Sequence, residues 1–131
     1  IKQAGLENRV FFLGKKPFEE LPKLFRGMSV VAALSRNEGY GLTPLEGMAS
    51  GAAVLTSSAG VWDELVRDEI DGYVVDVDNV DQTSEKLNLL IENSSKTKIM
   101  GENAAKYISE NFSVENEAEK IIKHVRDVQN I

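Results

Sequence analysis

The chain has 131 residues, of which 42% are hydrophobic and 27% charged, and its formal net charge is -6. This length and composition fit one globular domain with a core and exclude an intrinsically disordered chain. The acidic balance argues against nucleic acid as a partner, the absence of cysteine excludes disulfides and thiolate zinc sites, and no apolar run is long enough for a membrane span.

Short apolar runs alternate with helical patterns along the chain. The opening stub ends at Gly5, in the manner of a glycine that closes a helix, which suggests that the sequence was cut from a longer one. Continuous apolar runs predict buried strands at 9–13, 29–34, 53–57 and 73–76. Apolar residues at helical spacing predict helices at 17–28, 44–51, 60–68, 79–93, 96–111 and 114–130.

The alternation of these elements predicts the fold class. Strands that are apolar along their whole length and separated by helices are typical of a parallel sheet covered on both faces. We therefore predict an α/β fold with a Rossmann-like, doubly wound parallel sheet. Ligands bind such sheets beyond the carboxyl ends of the strands, so the loops to inspect are 14–17, 35–43, 56–60 and 76–79.

The stretch RNEGYGLTPLEGMASG (36–51) joins the second predicted strand to a short helix. It contains a typical helix start, with Thr43 as the N-cap and Pro44 at the first helical position. Thr43 and Glu46 also have the spacing of a capping box, in which the Glu46 carboxylate accepts a hydrogen bond from the Thr43 N–H. This structural role is the alternative to a functional role for Glu46.

Capping leaves the glycines of this loop unexplained. Gly39 and Gly41 lead straight into a helix N-terminus, and glycine permits positive φ and a close approach of a ligand to the backbone. The free N–H groups and the dipole of a helix N-terminus attract anions. We therefore expect the N–H groups of Gly41, Leu42 and Thr43 to bind a phosphate.

Two carboxylates accompany this predicted phosphate site. Glu38 lies in the glycine loop and Glu46 lies in the first part of the helix, and both can accept hydrogen bonds from hydroxyl groups. A phosphate site with two groups that bind hydroxyls describes a site for a nucleotide sugar.

The stretch NEGYGLTPLEGMASG resembles the E-x7-E signature of retaining GT-B glycosyltransferases of the family 4 type, and the resemblance continues through most of the chain. It identifies residues 1–131 as part of the C-terminal, donor-binding domain, without the first strands of that domain and without the N-terminal acceptor domain. Within the family, the stretch is most similar to bacterial lipopolysaccharide-core mannosyltransferases.

The resemblance implies a role for each residue of the motif. Glu38 matches the first glutamate, which contacts the hydroxyls of the donor sugar, and we take it as the catalytic residue. Glu46 matches the second glutamate, which holds the ribose hydroxyls. The implied donor-binding residues are Gly39, Tyr40, Gly41, Leu42, Thr43 and Glu46.

The implied reaction is transfer of a hexose from a nucleotide-diphosphate sugar to a glycan or lipopolysaccharide-type acceptor, with retention of configuration. The resemblance implies no cofactor and no metal, an acceptor bound through the N-terminal domain, and a cytoplasmic location, at the inner face of the membrane if the enzyme is peripheral. Two departures stand out. The Arg and Lys with which the family neutralises the diphosphate have no match, and Trp62 stands where a small residue or proline is more usual.

Other interpretations of these residues are weaker. Asp76 and Asp78 match the D-x-D metal motif of other glycosyltransferases, but Asp78 or Asn79 could simply cap the helix that follows. A non-catalytic nucleotide-sugar-binding or receiver-like signalling module remains the alternative. A receiver needs an aspartate at the end of a central strand, and this chain has Ser35 there.

The expected strand order leaves sheet edges open. In the order 3-2-1-4-5-6, the predicted strands are the third to the sixth, so the two absent strands would separate 9–13 from 29–34. We expect either that 9–13 closes directly onto 29–34 or that two chains associate through their open edges. In both cases, we expect no transferase activity from this chain alone and at best weak nucleotide binding.

Overall fold

A computed structural model of the chain describes residues 1–129 and contains a three-stranded parallel sheet. The middle strand hydrogen-bonds to both of its neighbours, so the order in the sheet follows the order in the chain. The strands are β1 (Val30–Ala33), β2 (Ala53–Ser57) and β3 (Gly72–Val75). They confirm the strands predicted at 29–34, 53–57 and 73–76.

Helices precede, connect and follow the strands. They are α1 (Leu21–Arg26), α2 (Leu42–Ala49), α3 (Trp62–Leu65), α4 (Val80–Glu92), α5 (Ser94–Asn111) and α6 (Val114–Gln129). Short 3-10 turns lie at Lys2–Ala4, which ends at Gly5 with positive φ as predicted, and at Phe18–Glu20. The predicted last residue of the C-terminal helix, residue 130, lies outside the described residues. Within residues 1–129, no helix combines the length and the apolar character that a membrane span requires.

Helices cover both faces of the sheet. On one face, Val31 and Val54 pack in a cluster with Met48 of α2 and Ala104 of α5. On the other face, a second cluster contains Leu55, Tyr73 and Val75 of the strands with Leu90 of α4 and Met100 of α5. Strand β2 is buried along its whole length. This arrangement confirms the predicted doubly wound α/β sheet.

The strand predicted at 9–13 is not formed. Residues 10–13 have no regular secondary structure, and the side chains of Phe11 and Phe12 are 75% and 87% exposed. A strand needs a neighbour for its backbone hydrogen bonds, and no described strand lies beside this segment. Closure of 9–13 onto 29–34 was therefore a wrong expectation, while association of two chains through the open edge of β1 stays a prediction.

A buried ion pair shapes the connection from α3 to β3. The Asp71 carboxylate is fully buried and accepts hydrogen bonds from Arg67 Nε at 2.8 Å and Nη2 at 2.6 Å. These bonds raise the pKa of Arg67 above its ordinary value. The guanidinium carbon also lies 4.2 Å from the ring centre of Tyr107 on α5. The pair therefore joins the start of β3 to the helix that packs beside it.

Candidate functional site

The start of α2 lies just beyond the carboxyl end of β1, where the fold class predicts a ligand. The helix begins at Leu42, and its N-cap is Gly41, with φ 71° and ψ 92° and no side chain that caps the helix. The predicted start was therefore wrong by two residues. Thr43 occupies the second helical position instead of the N-cap, and Pro44 occupies the third.

This early start has a local cause. The first four N–H groups of a helix have no partner within the helix, so a proline in the third position costs no hydrogen bond. The positive φ of Gly41 allows the chain to turn into the helix two residues before Thr43. The predicted capping box between Thr43 and Glu46 is consequently absent, and the Glu46 side chain lies beyond the first helical turn. Capping therefore does not explain the presence of Glu46 at this position.

The two glycines of the loop are present for different reasons. An added Cβ at Gly41 would lie 2.4 Å from Cζ2 of Trp62 and 2.7 Å from Cγ of Glu38, and φ is positive there. The fold therefore requires a glycine at position 41. An added Cβ at Gly39 would meet nothing within 4 Å, and φ is not in the left-handed region. The fold does not require glycine at position 39, which favours an explanation by close approach of a ligand.

A second loop, between β2 and α3, packs against the first. Gly60 has φ 64°, and an added Cβ there would lie 2.9 Å from the Glu38 carbonyl oxygen and 3.0 Å from that of Gly39. The Trp62 indole N–H donates a hydrogen bond to the Gly41 carbonyl oxygen at 3.0 Å. The candidate site is thus built from the loops that follow two adjacent parallel strands. Trp62 was noted in the sequence only as unusual, because nothing local reveals this contact.

A groove of about 440 Å³ brings several of the predicted donor-binding residues together. Tyr40, Leu42 and Glu46 line one side of it, and the opposite side comes from the end of α5 and the start of α6. The lining residues from that side are Ile108, Phe112 and Glu117. Glu38 does not line this groove, and its Cγ lies next to the position that a Cβ at Gly41 would take, as does the Trp62 ring. The two glutamates therefore lie in different parts of the surface.

Both carboxylates are available to a ligand. Glu38 and Glu46 are half-buried, and neither side chain forms a hydrogen bond or an ion pair with any of residues 1–128. Tyr40 and Leu42 expose 50% and 61% of their surface, and Thr43 is exposed as well. Half-buried carboxylates without partners can accept hydrogen bonds from hydroxyl groups of a ligand.

The D-x-D sequence has a structural role. Asn79 caps α4, because its side chain accepts a hydrogen bond from the Gln82 N–H. Of the two predicted caps, Asp78 and Asn79, the structure therefore has Asn79. The Asp78 carboxylate pairs with Arg36 at 2.7 Å, and the Asp76 carboxylate accepts a hydrogen bond from the Asp78 N–H. In the described part of the chain, no three His, Cys, Asp or Glu side chains are grouped as metal ligands would be.

Comparison with known proteins places the chain in a family. The model of the family described as "Glycosyl transferases group 1" matches residues 1–107, so the chain belongs to that family. Its α/β sheet is that of the C-terminal domain of GT-B glycosyltransferases.

The individual relatives are mannosyltransferases and other glycosyltransferases. The lipopolysaccharide core biosynthesis mannosyltransferase LpcC of Rhizobium leguminosarum is 38% identical over 118 residues, which are 90% of this chain and 33% of LpcC. The C-terminal domain of the Francisella tularensis LpcC structure matches with a TM-score of 0.79 and 33% identity over 86% of this chain and 58% of that one. Anabaena HepE in complex with UDP matches with a TM-score of 0.85 and 29% identity over 96% of this chain and 34% of HepE. The chain spans about a third of the length of the curated relatives it matches.

Proposed function

We propose that this chain is the donor-binding part of a retaining glycosyltransferase of the family 4 type, which transfers a hexose from a nucleotide-diphosphate sugar. The family match and the similarity to a structure that binds UDP support the use of a nucleotide-sugar donor. The main structural support for a ligand at the 36–51 stretch is Gly39. The fold does not need a glycine at this position, and the loop that contains it enters a helix N-terminus. A ligand that approaches the backbone closely gives that glycine a reason.

The proposed roles follow from the positions of the side chains. The N–H groups at the start of α2, from Leu42 and Thr43, bind the diphosphate together with the backbone of Gly41. Glu46, in the groove beside α2, accepts hydrogen bonds from the ribose hydroxyls. Glu38 contacts the sugar hydroxyls from the loop and is the catalytic residue. The backbone of Gly39 and Tyr40 lies against the sugar.

The chemistry consists mainly of stabilising the leaving group. When the bond to the sugar breaks, negative charge develops on the diphosphate, and oriented N–H groups stabilise that charge without reorganising. The -6 net charge of the chain does not help to hold an anion, so these local donors matter more. No metal and no cofactor are part of the proposal.

The proposed acceptor follows from the similarity of this chain to two mannosyltransferases. The LpcC and LpsB mannosyltransferases of lipopolysaccharide core biosynthesis are 38% and 30% identical to this chain. We therefore extend the proposal to a glycan or lipopolysaccharide-type acceptor, bound through an N-terminal domain, and to work in the cytoplasm or at the inner face of the membrane.

A non-catalytic role is the alternative. A domain that binds a nucleotide sugar without transfer would have the same site, whereas a receiver-like module would have a phosphate-accepting aspartate after a central strand. The middle strand β2 is followed by Ser58 and Ala59, and the edge strand β1 by Leu34 and Ser35. Calorimetry with UDP, GDP, ADP and their sugars decides between these roles, because a receiver should bind none of them. Transfer measured with the complete enzyme then separates a transferase from a binding domain.

Replacing Glu46 with glutamine in the complete enzyme should weaken nucleoside diphosphate binding. A hydrogen bond to a charged group contributes roughly 1.5–3 kcal/mol, which corresponds to a roughly 10- to 150-fold increase in Kd. Calorimetry measures the change. Glu85→Gln, which removes the same charge from an exposed position on α4, is the control and should leave Kd unchanged. An unchanged Kd for Glu46→Gln would remove this residue from the donor site.

Replacing Glu38 with glutamine should separate turnover from nucleotide binding. If Glu38 contacts the sugar and not the nucleotide, kcat should fall at least about 10-fold while the Kd of the free nucleoside diphosphate stays within about 2-fold. Steady-state kinetics and calorimetry on the same enzyme give the two values. Equal losses in both would place Glu38 at the nucleotide.

A further inference from the structure

Trp62 connects the two loops of the candidate site. It is the only tryptophan in the sequence and the first residue of α3, and 1% of its surface is exposed. Its indole N–H donates to the Gly41 carbonyl oxygen at 3.0 Å. Because the side chain is buried, it acts on the site through its neighbours and not by touching a ligand.

The ring and the N–H restrain Gly41 in different ways. The indole carbons Cζ2 and Cε2 lie where a Cβ at Gly41 would have to be, at 2.4 and 2.7 Å from that position. The ring therefore packs directly against the backbone of Gly41, next to the Glu38 side chain. The hydrogen bond also fixes the orientation of the Gly41 carbonyl group, because its oxygen must point toward the indole N–H.

Holding this carbonyl also orients the first free donor of α2. The Gly41 carbonyl and the Leu42 N–H belong to the same peptide unit, which is planar, so the N–H points away from the oxygen. Leu42 is the first residue of the helix, and its N–H has no partner within the helix. No side chain caps this helix, so the N–H groups of the first turn depend on the backbone conformation at Gly41.

We propose that Trp62 is a positioning residue of the donor site, which fixes the Gly41–Leu42 peptide so that the Leu42 N–H is oriented to bind the donor diphosphate. The identity of this ligand rests on the proposed function, whereas the contact of Trp62 with Gly41 does not. The position differs from the usual small residue or proline of the family that the sequence resembles. In this chain, a bulky buried donor orients the backbone of the anion site.

The test uses the ¹⁵N-labelled 131-residue chain and NMR titrations, which follow binding at millimolar affinity. The single indole N–H and the amides of Gly41, Leu42 and Thr43 report on the site. UDP, GDP, ADP and inorganic pyrophosphate are the probes. Trp62→Phe keeps an aromatic ring and removes the N–H donor. The control is Tyr73→Phe, which removes a hydrogen-bonding group, bonded to Lys96 at 3.1 Å, from a buried ring on the other face of the sheet.

We expect at least one nucleotide to shift the indole N–H and the Leu42 amide in the wild-type chain. Trp62→Phe should weaken this binding about 2- to 10-fold, the effect of one neutral hydrogen bond. Tyr73→Phe should bind as the wild type does, even where its melting temperature falls. A general loss of stability would lower the melting temperature of both variants, whereas loss of positioning weakens nucleotide binding only in Trp62→Phe. The binding constants therefore distinguish positioning from support of the fold.

The contrary results are distinct. Nucleotide binding at the α2 amides that Trp62→Phe leaves unchanged overturns the positioning role and leaves the proposed function intact. If no nucleotide binds but pyrophosphate shifts the α2 amides and binds more weakly to Trp62→Phe, the donor assignment fails and the positioning role stands. If neither class of probe shifts the α2 amides, the positioning role is overturned, and the proposed function is then decided by the Glu46→Gln titration of the complete enzyme.

Discussion

Replacing Gly41 with alanine should remove nucleotide binding and also lower the free energy of unfolding substantially. A non-glycine residue at φ 71° and ψ 92° carries strain of about 1–3 kcal/mol. The new methyl group would also lie 2.4 Å from Trp62 Cζ2, so the indole must move, and overpacking of this kind costs about another 1–3 kcal/mol. Moving the indole breaks its hydrogen bond to Gly41 and releases the start of α2. Urea unfolding and a nucleotide titration measure the two effects.

Gly39→Ala is the matched variant for this experiment. Its methyl group meets nothing within 4 Å and φ is not left-handed, so the free energy of unfolding should stay within about 0.5 kcal/mol of the wild type. If Gly39 lets the donor approach the backbone, nucleotide-sugar binding should weaken nevertheless. Equal unfolding free energies for the two variants would contradict the contact between Trp62 and Gly41. Unchanged sugar binding in Gly39→Ala would remove the ligand explanation for that glycine.

Replacing Arg67 with methionine should destabilise the protein by about 3 kcal/mol, toward the lower end of the range for breaking a buried ion pair. Methionine keeps the aliphatic volume but leaves the fully buried Asp71 carboxylate without its two guanidinium hydrogen bonds. The arginine side chain is 39% exposed, which places the effect in the lower part of that range. The stacking of the guanidinium on Tyr107 is lost as well. Urea unfolding followed by circular dichroism gives the value.

Arg36→Met provides the control, because it removes the same kind of side chain from an exposed pair. Arg36 and Asp78 are 73% and 67% exposed, and such pairs contribute about 0–1 kcal/mol. We expect the midpoint of urea unfolding to be nearly that of the wild type. An equal effect of the two substitutions would mean that water reaches Asp71 and that the pair is not buried in solution.

Much of the candidate site could be proposed from the sequence because the residues that define it are neighbours in the chain. Gly39, Gly41 and the helix that follows lie within a few consecutive residues. Glycine permits positive φ and a close approach of a ligand, and the helix N-terminus attracts an anion, so the short stretch indicates both a backbone conformation and a kind of ligand. Strands β1, β2 and β3 were equally predictable, since a continuously apolar run followed by a helix indicates a strand buried on both faces. Both predictions were made from residues that are neighbours in the chain, although the strands themselves form only by pairing with one another.

The segment at 9–13 shows where this reasoning ends. Its apolar run is as strong as that of β1, yet β1 pairs with β2 and the segment has no neighbouring strand in the described structure. An apolar run reports the potential to be buried, whereas a strand also requires a partner for its hydrogen bonds. Phe11 and Phe12 are apolar enough for a core, but both are exposed in the structure.

The amino-acid sequence of this chain was enough to predict the strands of the sheet and the loop that enters α2, because each leaves a pattern in residues that are neighbours in the chain. The burial of Asp71 and the position of Trp62 against Gly41 depend on tertiary contacts. Trp62 and Gly41 are 21 positions apart, and they meet only because parallel pairing of β1 with β2 brings the two following loops to the same edge of the sheet. Burial and hydrogen-bond partners across such a distance result from packing, which local periodicity does not encode.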